Sequence, residues 1–132
     1  MTGRASLGGI SPFFIVRDVP RAIRFYLERL GFELRFAEPA DAPFFAIVGR
    51  DGAQLLLKSI SDDVGPQPNP TRHEWAAWDA FVFVEDPDAL AAELALRGST
   101  LHRELRDRDD GLRGFEIADS DGYVLFFGSP NR

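Results

Sequence analysis

One carboxylate set in an aromatic run is the most chemically suggestive feature of this 132-residue chain. Asp79 lies within Trp75-Ala76-Ala77-Trp78-Asp79-Ala80-Phe81-Val82-Phe83-Val84. An anion in apolar surroundings favours a cationic ligand, and it could also serve as a general base. Flat Trp and Phe rings add a stacking surface, over which a cation gains about 0.5–2 kcal/mol. The alternative is a solvated carboxylate at the start of a strand. Other chemistry is sparse. His73 and His102 are isolated in sequence and suit surface positions. With no Cys, thiolate nucleophiles, disulfides and Cys-ligated metals are excluded. No nucleophile–base pair, phosphate-binding loop or dinucleotide fingerprint occurs. The run Arg106-Asp107-Arg108-Asp109-Asp110-Gly111 reads as a solvated hairpin tip.

The strand carrying these aromatics belongs to a unit that occurs twice. Phe13-Phe14-Ile15-Val16-Arg17-Asp18-Val19-Pro20, closing at Gly31, returns as Phe81-Val82-Phe83-Val84-Glu85-Asp86-Pro87, closing at Gly98. Each copy is an apolar strand, an Asp that can cap free amides, a Pro in a first helical turn, and a Gly past the helix end. Asp51-Gly52 ahead of Leu55-Leu56-Leu57 likewise returns 70 positions on, as Asp121-Gly122 ahead of Leu125-Phe126-Phe127. Asp-Gly before an apolar run is a hairpin signal. At the same offset, Phe45 and Ile47 match Phe115 and Ile117. The chain is therefore read as α+β, two tandem βαβββ modules at about 11–59 and 77–128. The connector 60–76, with Pro66, Pro68 and Pro70, is extended.

Within this frame the strands are expected at Ser11–Arg17, Phe32–Ala37, Phe44–Val48, Ala53–Ser59, about Ala77–Val84, Ser99–Leu105, Leu112–Ala118 and up to Gly128. The helices are expected at Val19–Leu30 and Pro87–Arg97. Alternation puts Phe14 and Val16 on one face of the first strand, opposite Phe13 and Ile15. In the fifth strand Val82 opposes Phe81 and Phe83. Both faces are apolar, yet one helix per module covers only one of them. The other must meet a partner or enclose a pocket, so Phe13, Phe81, Phe83 and Phe126 are either cavity lining or core.

Length suggests one domain, 1–132, whose modules are too small to fold alone and must pack on each other or on a second chain. A net charge of −6 disfavours a phosphate backbone as partner. No apolar run is long enough to cross a membrane, and residues 1–9 lack the apolar stretch of a secretory signal. A cytoplasmic location follows as the expectation.

Asp18-Val19-Pro20-Arg21-Ala22-Ile23-Arg24-Phe25-Tyr26-Leu27-Glu28-Arg29-Leu30-Gly31-Phe32 resembles the opening of the vicinal oxygen chelate superfamily. That group includes glyoxalase I, extradiol dioxygenases and bleomycin-resistance proteins. Arg113-Gly114-Phe115 and Asp119-Ser120-Asp121-Gly122-Tyr123 are similar to its closing signature. The resemblance implies paired modules curling a mixed sheet around a cavity. Carried over, the metal-ligand positions of its enzymes fall on Ser11, Leu56, Asp79 and Phe126. Only Asp79 is a competent ligand there, so no metal and no other cofactor are expected. The aromatic fifth strand is similar to the metal-free bleomycin-resistance branch. The resemblance therefore implies a homodimer that sequesters a planar or cationic small molecule at Ser11, Phe13, Leu56, Trp75, Asp79, Phe81, Phe83, Arg113 and Phe126. The alternative is an enzyme of the same superfamily, a lyase, isomerase or dioxygenase acting on a small metabolite.

Overall fold

Local chemistry sets both helices. In the computed structural model, which describes residues 3–131, Asp18 Oδ1 accepts from the amide of Arg21 at 3.1 Å and Asp86 Oδ1 from that of Ala89 at 3.0 Å. These bonds satisfy first-turn donors of α1 (Val19–Leu30) and α2 (Pro87–Leu96). Gly31 and Gly98 follow the helices with φ of 71° and 83°, a conformation that side chains resist.

The strands are β1 (Phe13–Ile15), β2 (Glu33–Glu38), β3 (Phe45–Arg50), β4 (Ala53–Lys58), β5 (Ala80–Phe83), β6 (Arg103–Asp107), β7 (Leu112–Ala118) and β8 (Val124–Pro130). They form two four-stranded mixed sheets in the orders β1-β4-β3-β2 and β5-β8-β7-β6. The β1–β4 and β5–β8 pairs are parallel and the rest antiparallel. This is the expected α+β pair of βαβββ modules. Of the edge strands, β1, β5 and β6 are shorter than expected and β2 is shifted by one residue. β5 starts at Ala80 because the Asp79 side chain, with its own amide, already occupies the backbone of Val124. The connector is irregular apart from a Ser61–Val64 bridge and one 3₁₀ turn at Asn69–Thr71.

The repeat breaks register at one point. Val48 pairs with Leu55, whereas Ile117 pairs with Leu125, so β7 matches β3 at an offset of 69 rather than 70. The cause is the turn. Asp51-Gly52 joins Arg50 to Ala53 directly, whereas Ala118 and Val124 are joined by a longer loop in which Asp119 Oδ1 accepts from the amides of Asp121 and Tyr123, each at 2.9 Å. A slip of one residue exchanges the two faces of a strand. Phe115 and Ile117 are consequently buried beneath α2, while Phe45 and Ile47 lie on the opposite face of their sheet. The expected equivalence of these two pairs does not hold.

The helix-facing sides of both modules merge into one core. Phe14, Tyr26 and Leu57 of the first module share it with Leu94, Phe115 and Phe127 of the second. Polar contacts lock the same seam. The Tyr26 hydroxyl donates to Asp119 Oδ2 at 2.6 Å, and the Tyr123 hydroxyl to the Ile15 carbonyl at 2.6 Å. Tyr123 also stacks on Phe14, with ring centroids 4.2 Å apart. Arg50 forks onto Glu93 at 2.9 and 2.7 Å. Among the described residues, no helix is long and apolar enough to cross a membrane.

Burial pushes the Asp119 carboxyl up to about 6, against the lowering effect of its hydrogen bonds with Tyr26 and the turn amides. A carboxyl with a raised folded pKa holds its proton more tightly in the folded state. Its contribution to stability is complete below its unfolded pKa, about 3.9, and is lost as pH rises through its folded value. Tyr26→Phe removes the one side-chain donor to Oδ2 and should cost about 1–3 kcal/mol near neutral pH. The cost should shrink toward about pH 4.5, where Asp119 is largely protonated and needs the donor less. Urea unfolding of both proteins at the two pH values measures this; equal losses would show that the hydroxyl does not serve the carboxylate.

Candidate functional site

With the helix sides spent on each other, both sheets turn their second faces outward. On the first module that face carries Phe13 beside its register partner Leu56, with Ile47 and Phe36 across the sheet. On the second it carries Phe81 beside Phe126, then Glu116. Phe13, Phe36, Phe81 and Phe83 are each about half exposed or more. Such contiguous apolar surface marks an interaction site rather than an ordinary solvated face.

The second sheet's face is the more elaborate. Phe126 lies flat on two glycines. A Cβ on Gly114 would stand 2.6 Å from Phe126 Cζ, and one on Gly128 would stand 2.6 Å from Cε2. Trp78 stacks on that ring at 4.5 Å and 23°, and Phe81 flanks it at 5.5 Å and 28°. The indole is oriented by its Nε1–H, which donates to Glu116 Oε2 at 3.1 Å. The Arg108 guanidinium covers the stack, 5.2 Å from the Trp78 ring centre and 5.3 Å from that of Phe126. Its nitrogens bond Asp110, with Nη2 to Oδ2 at 3.0 Å, and Nη1 lies 3.8 Å from Glu116. Phe126 therefore faces outward by register yet is only 1 % exposed.

The sequence-derived residues divide between these faces. Phe13 and Leu56 sit on the first, and Phe81, Phe83 and Phe126 on the second. Ser11 lies at the start of the first module, where its Oγ accepts from Gln54 at 3.2 Å. Trp75 is 86 % exposed beside His73, away from the stack; the indole that joins it is that of Trp78. Asp79 is not an unpaired anion. Its Oδ1 accepts from the Asn69 amide at 2.7 Å and its Oδ2 from the Val124 amide at 2.8 Å, which ties the connector to β8. Arg113 points to the helix side and forks onto Asp88 at 2.8 Å, with Asp107 at 2.9 Å.

Glu116 and Arg108 were not foreseen. Matching the repeat at 70 makes Glu116 the counterpart of Ala46, on the core side; the offset of 69 makes it the counterpart of Ile47, on the outer face across from Phe126. Arg108 belongs to the charged hairpin tip, but its side chain folds back over the rings instead of into solvent.

The donor set does not fit the metal of the superfamily's enzymes. Leu56 and Phe126 offer no donor atom, Ser11 is a weak one, and both Asp79 oxygens are held by amides. Among the described residues, no group of three or more His, Cys, Asp or Glu side chains is placed to hold a cation. A cleft of about 660 Å³ lies between the β3–β4 turn and β5, lined by Val82, Val84 and Leu90 from the helix side and by Phe81 and Phe83 at its edge.

The sequence model of the Glyoxalase/Bleomycin resistance protein/Dioxygenase superfamily matches residues 9–127. No curated protein matches at the sequence level. Among solved structures, the bleomycin-binding protein of bleomycin-producing Streptomyces verticillus, complexed with copper(II)-bleomycin, is similar at 27 % identity and a TM-score of 0.66, over 94 % of this chain and 97 % of that one. TioX from Micromonospora sp. ML1 (20 % identity, TM-score 0.72, 93 % and 99 % covered) shares the fold. So does TnmS3, an antibiotic binding protein from Streptomyces sp. CB03234 (21 %, TM-score 0.71, 97 % and 100 % covered). A match over nearly the whole chain, on a pair of βαβββ modules, establishes that this protein belongs to the Glyoxalase/Bleomycin resistance protein/Dioxygenase superfamily.

Proposed function

We propose that this protein binds and sequesters a planar, cationic small molecule in the cytoplasm, without bond chemistry and without a metal, as a bleomycin-resistance-like protein. The observation that carries this reading is the outward aromatic stack of Trp78, Phe81 and Phe126, with Glu116 as the anion beside it. A planar ring gains stacking on such a surface, and a positive charge is drawn to the ring faces and the carboxylate. The bleomycin-binding protein, similar over nearly the whole chain, was captured with copper(II)-bleomycin, which supports small-molecule binding on this fold. Glu116, and not the sequence-assigned Asp79, is the anion of this face, because both Asp79 oxygens are taken by amides.

The site is completed by a second copy. Within one chain the modules join through their helix sides, so the two open faces cannot close on each other. A two-fold axis that lays the first sheet of one copy on the second sheet of its partner covers both faces twice over and makes two equivalent cavities. Phe13, Leu56 and Phe36 of one copy would then face Phe81, Phe83 and Trp78 of the other. Sedimentation equilibrium should show a dimer at micromolar concentration, and Phe83→Glu, which puts a charge at an interface ring 64 % exposed in the isolated chain, should shift it to monomer. A wild-type monomer would contradict this assembly.

Thermal-shift screening against bleomycin-type glycopeptides, planar aromatic cations, thiol conjugates and divalent metals should raise the melting point with the first two classes. With such a ligand in hand, Val82 separates the two sites, because it lines the cleft without reaching the open face, whereas Phe81 borders both. Phe81→Ala should weaken binding about tenfold, a loss near 1.4 kcal/mol, and leave the fold largely intact. Val82→Ala should lower stability by about 1–2 kcal/mol and leave affinity unchanged. Loss of affinity on Val82→Ala would move the site into the cleft.

A further inference from the structure

We propose that Arg108 is a built-in occupant of the binding face, holding the place of the ligand's cationic group until a ligand displaces it. This inference rests on the reading that the face binds a planar cation, and it adds the group the face prefers and the residue that competes for it. Three observations carry it. The ring of Phe126 faces outward by register but is covered, and what covers it is Trp78 together with the Arg108 guanidinium. That guanidinium is itself a planar cation, set 5.2 and 5.3 Å from two ring centres and 3.8 Å from the buried Glu116 carboxylate. It reaches this position from a turn, not from the sheet. The Arg108 amide donates to the Leu112 carbonyl at 2.7 Å and Gly111 turns the chain at φ 87°, so the side chain can swing out without breaking a strand.

The cradle thus displays its own chemistry. Rings supply a face, Glu116 supplies a negative charge, and Asp110 holds the outer edge of the guanidinium. A guanidinium, an amidinium or a protonated heteroaromatic ring meets the same three demands. Trp78 would stay, because its Nε1–H is fixed to Glu116 and its ring forms the platform. The incoming cation takes the place of the guanidinium against Trp78 and Phe126, and Arg108 moves to solvent with Asp110. Part of the intrinsic affinity is consumed in expelling Arg108, since only the fraction of molecules with Arg108 out is competent to bind. Arg108 is therefore a specificity-determining residue. It raises the threshold for weak cations and admits ligands whose stacking surface exceeds its own.

Proflavine, a planar aromatic cation, tests this by calorimetry on wild type, Arg108→Ala and Asp110→Asn. Arg108→Ala should bind it about fivefold or more tightly, and Asp110→Asn should bind it more tightly by a smaller factor, because it loosens the Arg108 anchor while its amide oxygen can still accept from Leu112. A ligand-free readout runs in a Trp75→Phe background, where Trp78 is the remaining indole. Acrylamide quenching of Trp78 should rise several-fold on Arg108→Ala. Unchanged quenching would overturn the placement of Arg108 over the rings. Raised quenching with equal or weaker proflavine binding would overturn the competitive role, leaving the binding reading intact; weaker binding would make Arg108 a ligand contact. If quenching rises but neither protein binds proflavine, the planar-cation reading of the face fails, and the competitive role fails with it.

Discussion

Everything outward-facing in this molecule follows from how the two modules are joined. Each βαβββ unit has a helix on one side of its sheet, and the two helix sides fuse into one core sealed by Tyr26–Asp119, Tyr123–Ile15 and Arg50–Glu93. A unit of this size cannot bury enough surface alone, so the seam provides the missing core. Its geometric consequence is that the remaining faces point away from each other. They are apolar, rich in Phe and uncovered in a single chain. The fold is stabilised on one side of each sheet and leaves the other side open.

On the second sheet this division is refined by very small residues. Gly114 and Gly128 let Phe126 lie along the sheet, where any Cβ would lift it. A ring in that posture offers its face instead of its edge, and Trp78 and Phe81 extend the surface. The polar groups in this apolar setting are all engaged. Glu116 accepts from the indole, Arg108 bonds Asp110, and Asp79 takes two amides. Buried polar groups left without partners cost several kcal/mol. Their full engagement explains why an aromatic face can carry a carboxylate and a guanidinium and still fold.

The sequence made much of this legible. Capping Asp18 and Asp86, the prolines after them and Gly31 and Gly98 mark the helices, and alternation assigns Phe13, Phe14, Phe81 and Val82 to their observed faces. What was hidden depends on loops and on side-chain reach. The lengthened turn around Asp119 shifts β7 by one residue, so the repeat pointed to the wrong partner for Phe126 and concealed Glu116. Arg108 lies in a run whose composition says solvent, and only the curl of the hairpin brings it over Trp78. Asp79 looked unpaired because its partners are backbone amides, which no residue type reveals. Trp75 and Trp78 are indistinguishable by type, and the step into β5 decides between them.

The proposed binding site is assembled from the first sheet of one copy and the second sheet of another. The most direct test joins two damaged chains. Phe13→Ala impairs the first face and Phe81→Ala the second, so each homodimer carries two defective cavities. In a heterodimer of the two, purified by separate tags, one cavity holds both substitutions and the other holds neither. Calorimetry with proflavine should then recover one site per heterodimer at wild-type affinity. If both sites remain as weak as in the parents, the site lies within a single chain and the shared-cavity account is wrong.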